Sequence, residues 1–348
     1  MRTSEVLLLT CLVSIVNPRL SEPLLVHNKH PVILIPGDGG SRVYYRPKTS
    51  PIPCPRLMWL TLQFFILPNY FTQVFDYFSQ LVSALVKDPF FQRNISVRGA
   101  PYDFRRAPNE NQWFQYALSQ LIEDTYHRNG LSPVVLVAHI LATTTRSSQR
   151  PVANANSTPV PTSSRSSGIL EPMSWPHIPA GENAGAFFVS PLVFRRLHRS
   201  FPSLTFMSPD PRLWSPNEQI VITPKRNYSA HEMRQFFDYI NYADGYQMME
   251  ATKAGHDFFE GPTDVEEVYC VYGTQVATME QLIYTTSSQD QIPQLVEGDG
   301  DGTVNLRSLE VCHRWKKVIP IPLPGGEHRA ILKDERLIEL IRQVAGFS

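Results

Sequence analysis

Two acidic residues and a histidine near the C-terminus are spaced for proton transfer. Gly298–Asn305 ("GDGDGTVN") carries Asp299 and Asp301 between glycines, and His328 follows 27 positions after Asp301, behind Pro324-Gly325-Gly326. A carboxylate at Asp301 can hold an imidazole in one tautomer and stabilise the imidazolium, which makes His328 a general base for a hydroxyl nucleophile. In one chain order known for this chemistry the nucleophile comes first, on a sharp turn from a strand into a helix. The place open to it is the end of "PVVLVAH", Pro133–His139, where Ile140, Leu141 and Ala142 follow. Isoleucine has no atom that can form an ester.

Other groups compete for a chemical role. Gly37-Asp38-Gly39 follows the apolar run Pro31–Ile35. Backbone N–H groups in such a loop can stabilise an oxyanion, although the same residues also make a plain tight turn. Asp299, Asp301 and Glu310 fit positions 1, 3 and 12 of a calcium loop, but Val304 stands where that loop requires glycine. No metal and no cofactor is therefore expected. Of four cysteines, Cys270 and Cys312 flank the acidic loop and can bridge, which leaves Cys11 and Cys54.

The elements that must position these groups read as follows. Pro31–Ile35 and Pro133–Ala138 are continuous apolar runs, the pattern of strands buried on both faces. Apolar residues from Val74 to Val86, and again from Phe114 to Ile122, recur at helical spacing, with Gly130 as a stop. Helix, glycine and buried strand together predict a parallel α/β sheet. Strands are also expected at Val221–Pro224, Val268–Tyr272 and Lys317–Pro322, and helices at Ala230–Ile240 and around Leu337–Val344. Residues 142–168 ("ATTTRSSQRPVANANSTPVPTSSRSSG") hold almost no large apolar side chain, so they are read as a low-complexity, disordered insert. A helix belongs there if the sheet continues in parallel.

The N-terminus predicts the compartment. Arg2 precedes the apolar run Val6–Val16, and Pro18–Ser21 supplies a cleavage zone. A run of about eleven residues is too short to span a bilayer, so residues 1–21 are expected to be a signal peptide and 22–348 a single domain. Asn94, Asn156 and Asn227 each open a glycosylation sequon, in keeping with the secretory pathway. Lys plus Arg and Asp plus Glu number 32 each, so no net field attracts nucleic acid.

Taken together, "HPVILIPGDGGS", "VRGAPYDFRRAPNEN", "PVVLVAH", "EGDGDGTVN" and "LPGGEH" stand in the order found in the lecithin:cholesterol acyltransferase family, and the chain resembles its lysosomal phospholipase A2 branch. "WSPNEQIVITP" and "FFDYINYADGYQMM" resemble family segments too. The resemblance implies an α/β-hydrolase fold with cap and lid elements. It implies transfer of an acyl group from a phospholipid to water or to a lipid alcohol, at a membrane or lipoprotein surface, in the lysosomal lumen or outside the cell. It makes Asp301 the catalytic acid, His328 the base, and the amides of Asp38 and Leu141 the oxyanion donors. Trp59, Leu60, Phe64 and Phe65 fall in the membrane-touching lid region, here shortened to about residues 50–75. Cys270 and Cys312 match a family disulfide, and Cys54 matches one cysteine of a second whose partner is absent.

The departures cluster at one point. The family reads "AHSMG" where this chain reads Ala138-His139-Ile140-Leu141-Ala142, so the fold is expected to be disrupted after the nucleophile strand. Ile140 takes the serine's place, and Ala142 replaces a glycine that permits the strained elbow. Serine, elbow and helix are lost in one Ser/Thr/Pro-rich block, which has the form of a splice difference rather than of residue-by-residue drift. The alternative is a catalytically dead secreted or luminal lipid-binding protein.

Overall fold

The computed structural model describes residues 11–16 (backbone only), 29–37, 77–139, 198–253, 267–287 and 293–347, with isolated positions at 195, 259, 261 and 265. Expectations for Asp38, Cys54, Trp59, Leu60, Phe64, Phe65, Ile140, Leu141 and Asn156, for the lid region and for the 142–168 insert lie outside the described residues.

The described strands are β1 Cys11–Val16, β2 Val32–Ile35, β3 Val97–Gly99, β4 Val134–Ala138, β5 Gln219–Ile222, β6 Tyr228–Ser229, β7 Glu267–Thr274, β8 Val276–Ile283, β9 Gln294–Gly300 and β10 Val318–Pro324. The described helices are α1 Ser79–Leu85, α2 Gln112–Arg128, α3 Pro202–Phe206, α4 Met233–Tyr239, α5 Ala243–Lys253, α6 Leu306–Leu309 and α7 Glu335–Val344. The fold is thus mixed α/β.

Six strands form the main sheet in the order β10-β7-β1-β4-β2-β3, and four form a second sheet in the order β6-β5-β8-β9. Alternate side chains of the main sheet enter two cores. Ile33, Ile35, Leu136 and Ala138 pack on one face with Phe114, Leu118 and Ile122 of α2. Val32, Leu34, Val135 and Val137 pack on the other with Leu81 and Leu85 of α1 and Leu337 and Ile341 of α7. Every residue of β2 and β4 is buried, which is why their sequences are apolar without alternation. Each such aliphatic side chain contributes about 1.5–3 kcal/mol by leaving water.

Helix ends follow local chemistry. Asn129 closes α2 and Gly130 takes φ +68°, as the stop at that glycine predicted. Asp334 caps α7 by accepting the Arg336 N–H. Ser229 and Glu232 form a reciprocal capping box before α4.

Helix α5 and strand β3 were not expected from the sequence, and three further differences bear on the site. First, "GDGDG" is not wholly a loop: β9 runs through Asp299 to Gly300 and pairs antiparallel with β8. Second, β8 ("VATMEQLI") was missed, because a register shift between Met279 and Gln281 breaks the two-residue alternation that would have flagged it. Third, residues 11–16 lie within the expected leader, yet in the full chain their backbone pairs with both β4 and β7. This strand runs antiparallel to both, whereas the other five strands of the sheet run parallel to one another. The facing edges of β4 and β7 carry N–H and C=O groups that require partners, and an apolar extended segment supplies them.

Candidate active site

Asp301 stands one residue past β9 and His328 stands four past β10, so the two come from different sheets. Chain continuity brings them together: β7 lies in the main sheet, turns at Gln275 (φ +62°) and continues as β8 in the second. The His328 loop then packs against the end of β7, where the Gly325 N–H donates to the Thr274 carbonyl at 2.8 Å. A Cβ at Gly273 would lie 1.7 Å from the Gly326 carbonyl oxygen, so this backbone-to-backbone approach requires glycine.

The carboxylate of Asp301 is fully buried and has a donor on each oxygen. Its Oδ1 accepts from the amides of Thr303 (3.0 Å) and Val304 (2.7 Å), and its Oδ2 accepts from His328 Nδ1–H at 2.7 Å. The His328 amide donates to the Asp301 carbonyl at 2.7 Å, so backbone and side chain fix one relative position. Gly302 makes the turn at φ +86° and donates its N–H to Thr278 Oγ1 at 2.8 Å. His328 is 7% exposed. With Nδ1–H committed to Asp301, Nε2 is the atom that can take a proton, the arrangement of a general base with its orienting acid.

Asp299 plays no part in this pair. It is exposed, and its Oδ1 accepts from the Gln275 amide at 2.6 Å. Cys270 and Cys312 form a disulfide that ties β7 to the turn after α6. Asn94 and Asn227 are both exposed, Asn94 in a turn at φ +65°.

Two residues that sequence reasoning did not single out complete the cluster. His139 directly follows β4, with its amide donating to the Ile35 carbonyl at 3.0 Å. Its Nδ1 lies 2.5 Å from Tyr77 Oη, and its Nε2 lies 2.9 Å from the His328 carbonyl. Tyr77 Oη also accepts the Gly37 N–H at 3.2 Å. The one clue in the sequence was the polar residue at the end of an otherwise apolar strand.

Burial, reinforced by the neighbouring His328, holds the His139 imidazole well below the ordinary histidine value of 6.5. Burial also lowers His30. A ring kept neutral in the fold protonates freely once unfolded, so below about pH 6.5 the unfolded chain binds more protons and stability falls as pH falls. Melting temperature should therefore drop from pH 7 to pH 5, above the range in which carboxylates such as Asp103, held down chiefly by its Arg105 hydrogen bond, begin to matter. The limiting slope is about 1.4 kcal/mol per pH unit for one histidine. Thermal melts of His139→Gln should show a flatter profile; an equally steep one rules out this origin.

Comparison with known proteins adds a lineage to this geometry. The family model described as lecithin:cholesterol acyltransferase matches residues 65–147 and 168–332. The chain is 34% identical over 284 residues to the lysosomal phospholipase A and acyltransferase of Canis lupus familiaris, covering 78% of this chain and 68% of the relative. The Homo sapiens protein of the same description is also 34% identical over 284 residues, covering 78% and 67%. The phosphatidylcholine-sterol acyltransferase of Rattus norvegicus is 28% identical over 282 residues, covering 77% and 62%.

Proposed function

Since the chain belongs to the lecithin:cholesterol acyltransferase family, we propose that it carries the frame of a phospholipid acyl hydrolase and O-acyltransferase in which the nucleophile position is filled by Ile140. The observation that carries this reading is the buried Asp301–His328 pair, with Nδ1–H on the carboxylate. In acyl transfer His328 Nε2 takes the proton of an attacking hydroxyl. Asp301 remains ionised and stabilises the imidazolium, and backbone amides at Asp38 and Leu141 receive the charge that develops on the ester oxygen. The acyl group then passes to water or to a lipid alcohol. With Ile140 in place of serine no acyl-enzyme forms, so this chain engages phospholipid without turnover.

The remaining assignments belong to the same proposal. They are an α/β-hydrolase fold disrupted after β4, a leader at 1–21, a shortened lid at about 50–75 and an insert at 142–168. Glycans stand on Asn94, Asn156 and Asn227, and the protein resides in the lysosomal lumen or outside the cell. Trp59, Leu60, Phe64 and Phe65 meet the lipid surface.

Flotation on a density gradient with phosphatidylcholine vesicles tests the lipid half of the reading. The protein should rise with the vesicles, and the double variant Trp59→Ala/Phe64→Ala should remain at the bottom. Wild-type protein that stays down rejects lipid engagement.

A further inference from the structure

Tyr77 and His139 lie between the loop that leaves β2 and the loop that carries His328. We infer that they are positioning residues. A one-way hydrogen-bond chain runs from the Gly37 amide through both side chains to the His328 carbonyl, and it sets the spacing of the two loops.

The direction of the chain follows from its ends. The His328 carbonyl only accepts, so His139 Nε2 carries the proton in the 2.9 Å contact. A neutral imidazole has one N–H, so Nδ1 accepts and Tyr77 O–H donates across 2.5 Å. The Tyr77 oxygen then uses a lone pair for the Gly37 N–H at 3.2 Å. A charged ring would donate from both nitrogens, to the Tyr77 and His328 oxygens; with a neutral ring this one-way pattern is the one that satisfies all three contacts. Burial and the adjacent His328 and Arg329 favour the neutral ring.

This arrangement narrows the sequence expectation for the glycine loop. The Gly37 N–H is committed to Tyr77, so an oxyanion donor from this loop must come from a later amide. It also links the donor side of the site to the base side, because the carbonyl gripped by His139 belongs to His328 itself. A shift of about 1 Å between such loops costs on the order of a hundredfold in catalysis where a nucleophile is present. The identity of His328 as the base rests on the proposed function; the hydrogen-bond chain does not.

Nitrogen NMR of protein labelled in histidine, with amide exchange at Gly37, tests the inference without any need for turnover. At pH 7 His139 should show a protonated Nε2 and a bare Nδ1. In Tyr77→Phe the Gly37 amide should exchange about tenfold faster and the His328 ring resonances should move. His139→Gln retains an N–H for the carbonyl and an oxygen for Tyr77, so it should keep Gly37 protected, whereas His139→Leu should not. A proton on Nδ1 of His139 overturns the chain, as does Tyr77→Phe with both readouts unchanged. Should a variant fail to fold, the wild-type tautomer alone decides. Failed flotation with the expected tautomer rejects the lipid reading and leaves this one standing.

Discussion

Phosphatidylcholine vesicles incubated with the purified chain should release no fatty acid above the rate without protein. The argument is one of atoms. Ester exchange through an acyl-enzyme needs an oxygen or sulfur nucleophile within reach of His328 Nε2, and the position after His139 holds Ile140. Removing the nucleophile of a triad costs about 10⁶ in kcat, because base and acid have nothing left to activate. Ser147 and Ser148 follow closely in the sequence, but neither has a glycine beside it. A fluorophosphonate probe for activated serines should therefore leave the protein unlabelled. Release of fatty acid that disappears on His328→Ala would show that another group has taken the nucleophile's place. At the transcript level, a form reading Ser-Met-Gly after His139 should exist if the Ser/Thr/Pro-rich block is retained intron. Peptides from residues 142–168 in native material would instead establish the chain as a true non-catalytic relative.

Replacing Cys270 and Cys312 together with alanine should cost about 4 kcal/mol of stability. The bridge closes a loop of 42 residues, and the chain-entropy account of cross-linking assigns about that amount to a loop of such length. Both cysteines are fully buried, so the lost sulfur contacts add to the entropic loss rather than offset it. The span also contains β8, β9 and Asp301. Loosening it should therefore free the acid before it melts the far side of the sheet. Urea unfolding of the double variant reads the total, and the signals of His328 read the local effect. A change under about 1 kcal/mol would mean that packing alone holds β7 to the turn after α6. Persistence of such a bridge fits an oxidising compartment, the environment that the proposed leader provides.

Much of the fold was legible because its strongest signals are local. β2 and β4 are continuous apolar runs, α2 repeats its buried residues at helical spacing, and both patterns report burial within a short window. β8 was not legible, since its bulge destroys the alternation that would have revealed it. The pairing of β1 was not legible either. An apolar run near an N-terminus reads the same whether it is a leader or fills a gap between two strands.

The amino-acid sequence by itself determined the chemistry on offer: an acid ahead of a histidine, in order, behind a strand that leads into isoleucine instead of serine. Residue types and their order need no folding to be read. Only the tertiary structure showed that Asp301 touches His328 and that Asp299 does not. Pairing of β9 with β8 leaves Asp299 exposed, whereas the turn at Gly302 carries Asp301 inward onto His328. The structure alone also joined Gly37, Tyr77, His139 and His328. Those residues are scattered along the chain, and their contacts exist only because two parallel strands, a helix and a distant loop pack at the same end of one sheet.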